Sequence, residues 1–479
     1  MNTITPFASG TQVGSVPISA NIEPSAYGGV LVMAKAWAVL GGQQLTTGIR
    51  WQGKGGALLL FMLVVLPILS PRSIRAVANF CAKTARSAAE LVDPLWWVLD
   101  WGLVVTQRRV DRFASSPRHD WFRVFGAMIG ALNLHPATKV DKDGIIAVDS
   151  TTVEKRYGPK LEGIRPVYDS VQKRLVDGYE IVSACVVHLK KVSPIGLLPH
   201  RKADSEEERR VRRRRKAAPE ELPSKLDLAL SLVKVAVAAG VTASTVVGDS
   251  AFSSMWWLQE VVALGLHWLV SVRNDRRLRI GAEIRKFRDW AREMPLQLVE
   301  SCEGSTVWGG LLPRGTMLKK SCNQMGLLCQ PAYFERRDRQ GRVVHRWYLV
   351  TSQLAWGLEG IWQHWSWRWS IEVFHRESKQ LMRLADFHVR TWGAIVALIA
   401  CTSLRASLLY FIRAMEPCCH DLSMEQLVAA LREAPSLVER LDTCRVIVSM
   451  PPRMQVKELW NAPTVEFPVG QWPIELKAA

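Results

Sequence analysis

The sequence predicts an α/β protein with an additional helical region on its N-terminal side. Short β-branched runs alternate with amphipathic stretches from residue 143 onward, which is typical of a sheet with helices packed on it. From about residue 30 to 135 the apolar residues recur with helical period instead. The 479 residues are 48% hydrophobic and 22% charged, which excludes wholesale disorder and is enough for two or three domains.

The N-terminal part is predicted to be a flexible arm (1–28) followed by a helical domain (29–135), whose many basic residues suit it to bind DNA. The arm mixes Ser, Thr, Gly and Pro without a period. Helices are expected near 55–68, 73–90 and 96–105, with basic residues spread among them: Arg72, Arg75, Arg108, Arg109, Arg112, Arg118 and Arg123. The apolar run within 55–70 is shorter than the roughly 20 residues that span a bilayer. It also contains Pro67, so we interpret it as a core helix.

The rest of the chain is predicted in four parts. Residues 136–275 form the first part of the α/β domain, with strands at 144–148, 180–189, 245–249 and 267–272 and helices at 225–239 and 253–265. The Gly, Pro and short apolar pieces of 276–352 predict a β-rich insertion. A helical tract at 353–415 completes the α/β domain, and 416–479 form a helical region and a Pro-containing tail.

The composition indicates a polyanionic partner. A formal net charge of +18 favours nucleic acid first and an anionic membrane surface second. The nine cysteines are scattered without a CxxC pair, so neither a disulfide framework nor a zinc cage is indicated, and a reducing cytoplasm fits best. The basic run at 206–216 is either a solvated helix or linker or an arm that contacts phosphates.

Three carboxylates are candidates for chemistry. Asp149 and Asp249 each follow a short apolar strand, and such positions meet at the carboxyl edge of an α/β sheet. Each alone is also compatible with a turn or a helix cap. Glu372 lies in a predicted helix, 364–380, on one face with Trp365, Arg368, Arg376 and Lys379, whereas Ile371, Phe374 and Leu381 lie on the other. That pattern also describes an ordinary amphipathic surface helix.

Taken together, two aspartates and a glutamate suggest metal-assisted phosphodiester chemistry. Oxygen-only ligands suit Mg²⁺ or Mn²⁺. Two such ions about 4 Å apart can activate a water or a 3′-hydroxyl and stabilise the departing oxygen. The basic residues beside Glu372 would hold phosphates near that centre.

At these residues the sequence resembles DDE-type insertion-sequence transposases of the IS-four group, which form DNA hairpins. Trp365, Arg368, Glu372 and Lys379 keep the spacing of that group's Tyr-Arg-Glu-Lys signature, with Trp365 in the tyrosine position. A tryptophan can stack but has no phenolic hydroxyl. IIAVDSTTVEK and VVGDSAF resemble the group's first and second aspartate blocks, and the interval before Glu372 has room for its β-rich insertion.

The resemblance covers about 143–415 and implies a ribonuclease H-like core interrupted by that insertion. It implies that Asp149, Asp249 and Glu372 are catalytic and hold two Mg²⁺ ions, for which Mn²⁺ can substitute. It implies that Arg368 and Lys379 contact phosphates around a flipped nucleotide. Trp347, in the segment WYLVTS, matches the position that stacks on the flipped base.

The implied function is cut-and-paste transposition through nicking, hairpin formation, hairpin opening and strand transfer. The implied partners are double-stranded DNA, both transposon terminal inverted repeats and target, and a second copy of the chain in a synaptic complex. A bacterial, nucleoid-associated cytoplasmic location without a membrane is expected. Three alternatives stay open: a domesticated DNA-binding protein that does not cleave, a ribonuclease H-like nuclease or resolvase, and a membrane-surface protein anchored by 55–70.

Overall fold

The computed structural model describes residues 27–51, 56–69, 107–155, 161–189, 191–201, 223–318, 326–387, 389–433, 437–440 and 446–449. The predicted helices at 73–90 and 96–105, the basic run at 206–216 and most of the arm and tail lie outside these residues. The described residues form a mixed α/β fold, as the sequence predicts.

Thirteen of the described strands form one sheet, with the path β2-β3-β1-β5-β6-β13-β12-β11-β7-β8. The path is mixed: β1 is antiparallel to β3 and parallel to β5, and β5 is parallel to β6. Off the path, β4 pairs with β3, β10 with β12, and β9 with β10. The strands are β1 (Ile145–Glu154), β2 (Arg165–Asp169), β3 (Arg174–His188), β4 (Lys191–His200), β5 (Thr245–Gly248), β6 (His267–Ser271), β7 (Arg277–Ile280), β8 (Glu283–Lys286), β9 (Gln297–Cys302), β10 (Ser305–Leu311), β11 (Thr316–Leu318), β12 (Leu327–Asp338) and β13 (Val343–Thr351).

Helices flank this sheet and fill the N-terminal and C-terminal parts of the fold. The predicted helices at 55–68, 225–239 and 253–265 are confirmed as α3, α6 and α7. The α-helices are α1 (Tyr27–Val39), α2 (Gly42–Leu45), α3 (Gly56–Leu69), α4 (Gln107–Ala114), α5 (Trp121–Leu134), α6 (Lys225–Ala238), α7 (Met255–Ala263), α8 (Phe287–Arg292), α9 (Leu358–Trp367), α10 (Trp369–Gln380), α11 (Trp392–Met415) and α12 (Met424–Glu433).

Strands β1 and β4 are among those that differ from the sequence prediction. Strand β1 continues past Val148 to Glu154 because its pairing with β3 runs along its whole length. Strand β4 was not predicted, since Pro194 and Pro199 interrupt its apolar pattern. Proline lacks the N–H that a central strand needs, but an edge strand tolerates it. Among the described strands β4 pairs only with β3, so it lies at an edge.

The predicted β-rich insertion is the segment between β6 and α9. It contains β7 to β13 and the short helix α8. Its last strand, β13, is antiparallel to β6, so the insertion extends the sheet. The predicted helix over 364–380 is two helices, α9 and α10, that meet at Arg368.

The N-terminal helices pack against the C-terminal helices. Helices α1 and α3 both contact α11 and α12, while α5 lies on α6 and β4. All six helices contribute residues to one cluster of buried hydrophobic side chains that also includes residues of the sheet. The C-terminal part contains the helix α12 and a two-stranded antiparallel pair that was not predicted, β14 (Leu437–Arg440) and β15 (Val446–Ser449); the predicted tail after residue 449 lies outside the described residues.

Helix α3 ends at a cluster of arginines. Pro67 cannot donate to the carbonyl of Leu63, four residues earlier in the helix. Arg405 of α11 is buried and supplies the missing donors: its Nη2 lies 2.9 Å from the Leu63 oxygen and its Nε 2.8 Å from the Val64 oxygen. Its Nη1 also donates to the Met382 carbonyl. Arg383 and Arg432 donate to the carbonyls of Pro67 and Ile68, where the helix dipole favours positive charge.

Helix α11 is the one described helix that is long and apolar enough to cross a membrane, judged by length and composition. In its most apolar window of 18 residues, 89% is buried inside the protein. Core helices of globular proteins give the same signal, so this is weak evidence for a membrane span.

Candidate active site

The two predicted aspartates lie side by side at one edge of the sheet. Strands β1 and β5 are parallel and in register from Ile145 opposite Thr245 to Val148 opposite Gly248. The next residue on each strand is an aspartate, Asp149 and Asp249. Asp249 Oδ1 accepts a hydrogen bond from the Ala251 N–H at 2.9 Å and begins a short 3₁₀ helix, Ser250–Phe252. The structure therefore brings together the two carboxylates that the strand pattern places at this edge.

Asp149 is the more buried of the site's acids, with a side chain 14% exposed. Burial raises its pKa to about 6; the Arg368 guanidinium opposes this rise, and the charges of Asp249 and Glu372 add to it. Its Oδ1 accepts a hydrogen bond of 2.7 Å from the Ser150 N–H. The mutual influence of these charges shows that the three acids share one electrostatic environment.

Arg368 joins the sheet edge to helix α10. Its Nη1 lies 3.2 Å from Asp149 Oδ2 and its Nη2 lies 2.5 Å from Glu372 Oε1. The Arg368 side chain is 15% exposed, and its Nε has no hydrogen-bond partner among the described residues. Arg368 and Glu372, which the sequence places on one helix face, thus form an ion pair, and Asp149 is a second partner of the same guanidinium.

Trp365 does not stand on an exposed face as the helical wheel placed it. Its ring is 7% exposed, and the Arg368 guanidinium carbon lies 5.0 Å from the ring centroid. Trp365 lies in α9, whereas Glu372 and Lys379 lie in α10, so the predicted single helix is divided between them. Trp365 therefore supports the arginine from the protein side by a cation–π contact.

Lys379 and Trp347 lie away from the centre of the carboxylate group. Partial burial lowers the pKa of Lys379. The negative charge of Asp169, at the end of β2, opposes this shift. Trp347 on β13 is half-buried, with its ring 5.0 Å from the Trp362 ring and 4.2 Å from the His345 ring between centroids. The guanidinium of Arg336 lies 5.5 Å from the Trp347 centroid.

His375 and Ser183 form a buried contact behind the carboxylates that the sequence argument left out. Ser183 pairs with Asp149 in the sheet, and its Oγ lies 3.3 Å from the Asp149 carbonyl oxygen. His375 Nε2 lies 2.5 Å from the same Oγ. Burial lowers the pKa of His375 to about 3, so the ring is neutral at neutral pH. This contact fastens α10 to β3 and so helps to position Glu372 opposite Asp149.

The donor set fits a hard divalent cation. Asp149, Asp249 and Glu372 offer only carboxylate oxygens, which Mg²⁺ and Mn²⁺ prefer. A divalent charge would also relieve the repulsion that raises the pKa of Asp149. In the positions described here, however, no group of three or more His, Cys, Asp or Glu side chains lies close enough to hold an ion. Arg368 is the positive charge that lies between two of the acids.

The raised pKa of Asp149 gives a prediction about stability in buffer containing EDTA. Between about pH 4 and pH 6 the folded chain keeps a proton that the unfolded chain loses, so this group's contribution to stability falls as pH rises through that window. Asp149→Asn removes the free-energy cost of keeping an ionised carboxylate in this buried position. We expect its free energy of unfolding at pH 7.5 to exceed that of the wild type by on the order of 1–3 kcal/mol, with no gain at pH 4.

Urea unfolding at the two pH values measures this difference. Asp177→Asn is the matched control, because Asp177 is an exposed aspartate on the neighbouring strand β3. If Asp149→Asn is no more stable than the wild type at pH 7.5, burial does not disfavour the ionised form of the Asp149 carboxylate.

The geometry defines a class of protein: an α/β enzyme whose acidic sheet edge and adjacent guanidinium suit a phosphate ester and a divalent ion. Comparison with known families narrows that class. Residues 105–293 match a family model described as DDE superfamily endonuclease. The match covers less than half of the chain and contains Asp149 and Asp249, but it ends before Glu372. No curated protein matches the chain.

This similarity supports a DDE-type transposase or nuclease that acts on DNA. Enzymes of that superfamily normally use divalent metal ions. The predicted DDE resemblance is supported at this coarser level, while the IS-four group, the hairpin chemistry and the individual site residues stay predictions.

Proposed function

We propose that the protein is a DNA transposase that moves an insertion sequence by a cut-and-paste route, as a member of the IS-four-like group. The observation that carries the proposal is the register of β1 and β5, which sets Asp149 beside Asp249, together with Arg368, which joins Asp149 to Glu372. Arg368 and Glu372 keep the spacing of the family signature, and Asp149 and Asp249 lie within the segment that matches the DDE family model.

The order of the sheet supports a ribonuclease H-like core. In the order β4-β3-β1-β5-β6, β3 is antiparallel to both of its neighbours, β4 and β1, and β5 and β6 run parallel to β1. We assign 136–275 and 353–415 to this core, 276–352 to the β-rich insertion and 29–135 to a helical DNA-binding domain, with 416–479 as a C-terminal region that contributes to dimerisation.

The roles of the charged residues follow from their contacts. Asp149, Asp249 and Glu372 would hold two Mg²⁺ ions, or Mn²⁺ in their place; when bound, these ions supply an activated oxygen nucleophile and stabilise the leaving oxygen. Arg368 is held by Asp149 and Glu372, which keeps its guanidinium beside the carboxylates, where it would attract a phosphate oxygen. The neutral His375 keeps α10 against β3, so Glu372 stays opposite Asp149.

The reaction consists of four phosphoryl transfers. Water attacks the phosphodiester at the transposon end and releases a 3′-hydroxyl. That hydroxyl attacks the opposite strand, which joins the two strands into a hairpin and releases the flanking DNA with a 3′-hydroxyl of its own. A second water opens the hairpin, and the regenerated 3′-hydroxyl then attacks a target phosphodiester. Each step breaks one P–O bond and forms another, so no covalent protein intermediate is required.

Hairpin formation requires a distorted end, and we assign two residues to holding it. Trp347 would stack on the flipped base, and Lys379 would contact a nearby phosphate. The half-buried ring of Trp347, braced by Trp362, supports the first role because it presents a rigid aromatic surface. The partners are double-stranded DNA, as terminal inverted repeats and as target, and a second copy of the chain. The setting is the nucleoid of a bacterial cytoplasm, without a membrane.

The test is an end-cleavage assay with a duplex that carries the element's own terminal repeat. With Mg²⁺ we expect a nick that matures into a hairpin on denaturing gels, and with Ca²⁺ binding without cleavage. Trp347→Ala should still nick but lose roughly 5- to 100-fold in hairpin formation, because a stacked base is worth about 1–3 kcal/mol. Trp308→Ala is the matched control, as Trp308 lies on β10 of the same insertion.

The outcomes separate the competing functions. Tight binding without cleavage in any divalent metal would favour a domesticated DNA-binding protein. Cleavage of branched or hybrid substrates, without preference for the terminal repeat, would favour a ribonuclease H-like nuclease or resolvase. A nick at the repeat that never becomes a hairpin would exclude the IS-four-like route while leaving a DDE enzyme.

A further inference from the structure

A two-stranded hairpin directly follows the sheet edge that carries the candidate site. Strand β6 runs parallel to β5, so it ends at the same edge as Asp149 and Asp249, and the chain then turns into β7 and β8. Arg276, just before β7, donates through Nη2 to the Ser253 carbonyl oxygen at 3.4 Å. Ser253 follows the short helix that Asp249 begins. The hairpin is therefore anchored beside the second aspartate.

The charges of this hairpin are sorted between its two faces. In an antiparallel pair, opposite residues share a face and successive residues alternate. Arg277 pairs with Lys286 and Arg279 with Ile284, whereas Leu278 pairs with Arg285 and Ile280 with Glu283. One face thus carries three cations, Arg277, Arg279 and Lys286, which we term the cationic face. The single carboxylate of these two described strands, Glu283, lies on the opposite face.

The opposite face is directed toward the protein, and its charge is neutralised there. Leu278 is fully buried. Arg285 forms ion pairs with Glu283 at 2.5 Å and Glu293 at 2.7 Å, and its guanidinium lies 3.8 Å from the Trp290 ring centroid. On the cationic face, Arg277 and Arg279 are exposed to solvent and Lys286 is half-buried. The hairpin therefore presents a row of positive charge to solvent, next to the candidate site.

We propose that the cationic face binds the phosphate backbone of the DNA duplex whose scissile bond lies at the carboxylate site. The inference rests on the proposed function and names a second contact surface for the same duplex. Residues two apart on a strand are roughly 7 Å apart, so the face is an extended track. DNA carries one negative charge per about 1.7 Å of its axis, which a track of cations can follow. Contacts of this type position the duplex without reading its sequence.

The experiment compares the double variant Arg279→Gln/Lys286→Gln with Lys142→Gln. Lys142 is an exposed lysine just before β1, at the opposite edge of the sheet from the carboxylates, and is the matched control. Affinity for a labelled duplex carrying the terminal repeat is measured by fluorescence anisotropy in Ca²⁺ between about 50 and 200 mM salt. The slope of log K against log salt should fall by about 2 for the double variant and by about 1 for each single variant.

The control and the wild type should share one slope, and the position of the nick should not move in the double variant. An unchanged slope in the double variant would overturn the inference, as would an equal fall in Lys142→Gln, which would indicate a general charge effect. Tighter binding of the wild type to anionic lipid vesicles, lost in the double variant, would assign the face to a membrane surface. A wild type that binds no DNA refutes the proposed function as well, whereas normal cleavage with unchanged slopes refutes this inference alone.

Discussion

Glu372→Gln should abolish strand cleavage, by about 10³-fold or more, while DNA binding is retained. The substitution removes one negative charge from the acidic group but keeps an oxygen that accepts a hydrogen bond from Arg368 Nη2. Helix α10 should therefore stay in place, fastened by His375 to Ser183. A carboxylate that holds a divalent ion cannot be replaced by a neutral amide without weakening that ion's binding.

The measurement is the rate of nicking of the terminal-repeat duplex in Mg²⁺, with anisotropy in Ca²⁺ for binding. Glu359→Gln is the matched control, because Glu359 is an exposed glutamate in the first turn of α9. A Glu372→Gln protein that nicks within about tenfold of the wild type would exclude Glu372 as the third catalytic carboxylate. Equal loss of binding and cleavage would instead make it a DNA contact.

Arg405→Met should lower the free energy of unfolding by about 3 kcal/mol. The side chain is buried, and its guanidinium serves the carbonyls of Leu63, Val64 and Met382. Methionine fills much of the same volume but leaves these acceptors unpaired, at about 1–3 kcal/mol for each buried group. Removing the buried charge offsets part of that loss, since burial opposes the charged form and lowers the pKa of Arg405 to about 10.

Urea denaturation of the purified chain measures this change. Arg432→Met is the control: Arg432 donates to the Ile68 carbonyl of the same helix but is exposed, so its loss should cost under about 1 kcal/mol. Arg405→Lys should be nearly as destabilising as Arg405→Met, because an ammonium cannot span several carbonyls as the guanidinium does. Equal effects of Arg405→Met and Arg432→Met would show that the end of α3 needs no internal donor.

The placement of the aspartates could be predicted from the sequence because the signal is local. Asp149 and Asp249 each directly follow an apolar run of four or five residues. The carboxyl ends of parallel strands lie at the same edge of a sheet, so the two aspartates meet there. Strand β4 could not be predicted, since Pro194 and Pro199 are read as breakers unless the strand is known to lie at an edge.

Contacts between residues that are far apart in the sequence could not be predicted either. The spacing of Arg368 and Glu372 predicts their ion pair, but nothing local indicates that Asp149 is a second partner of the guanidinium. The contact of His375 with Ser183 joins residues 192 positions apart. The sequence signal for this contact is Ser183, a small polar residue inside the apolar strand β3, directly opposite Asp149.

Arg405, which donates hydrogen bonds to carbonyls of α3, also limits where the chain can be truncated. Two of the three carbonyls that Arg405 serves belong to α3, and the arginine itself belongs to the helix that follows the candidate site. A fragment that begins at α4 would keep the buried guanidinium and lose both acceptors. The helices before residue 70 are therefore not a removable module: a truncated chain should be insoluble or unfolded, and recovery requires co-expression of the missing segment.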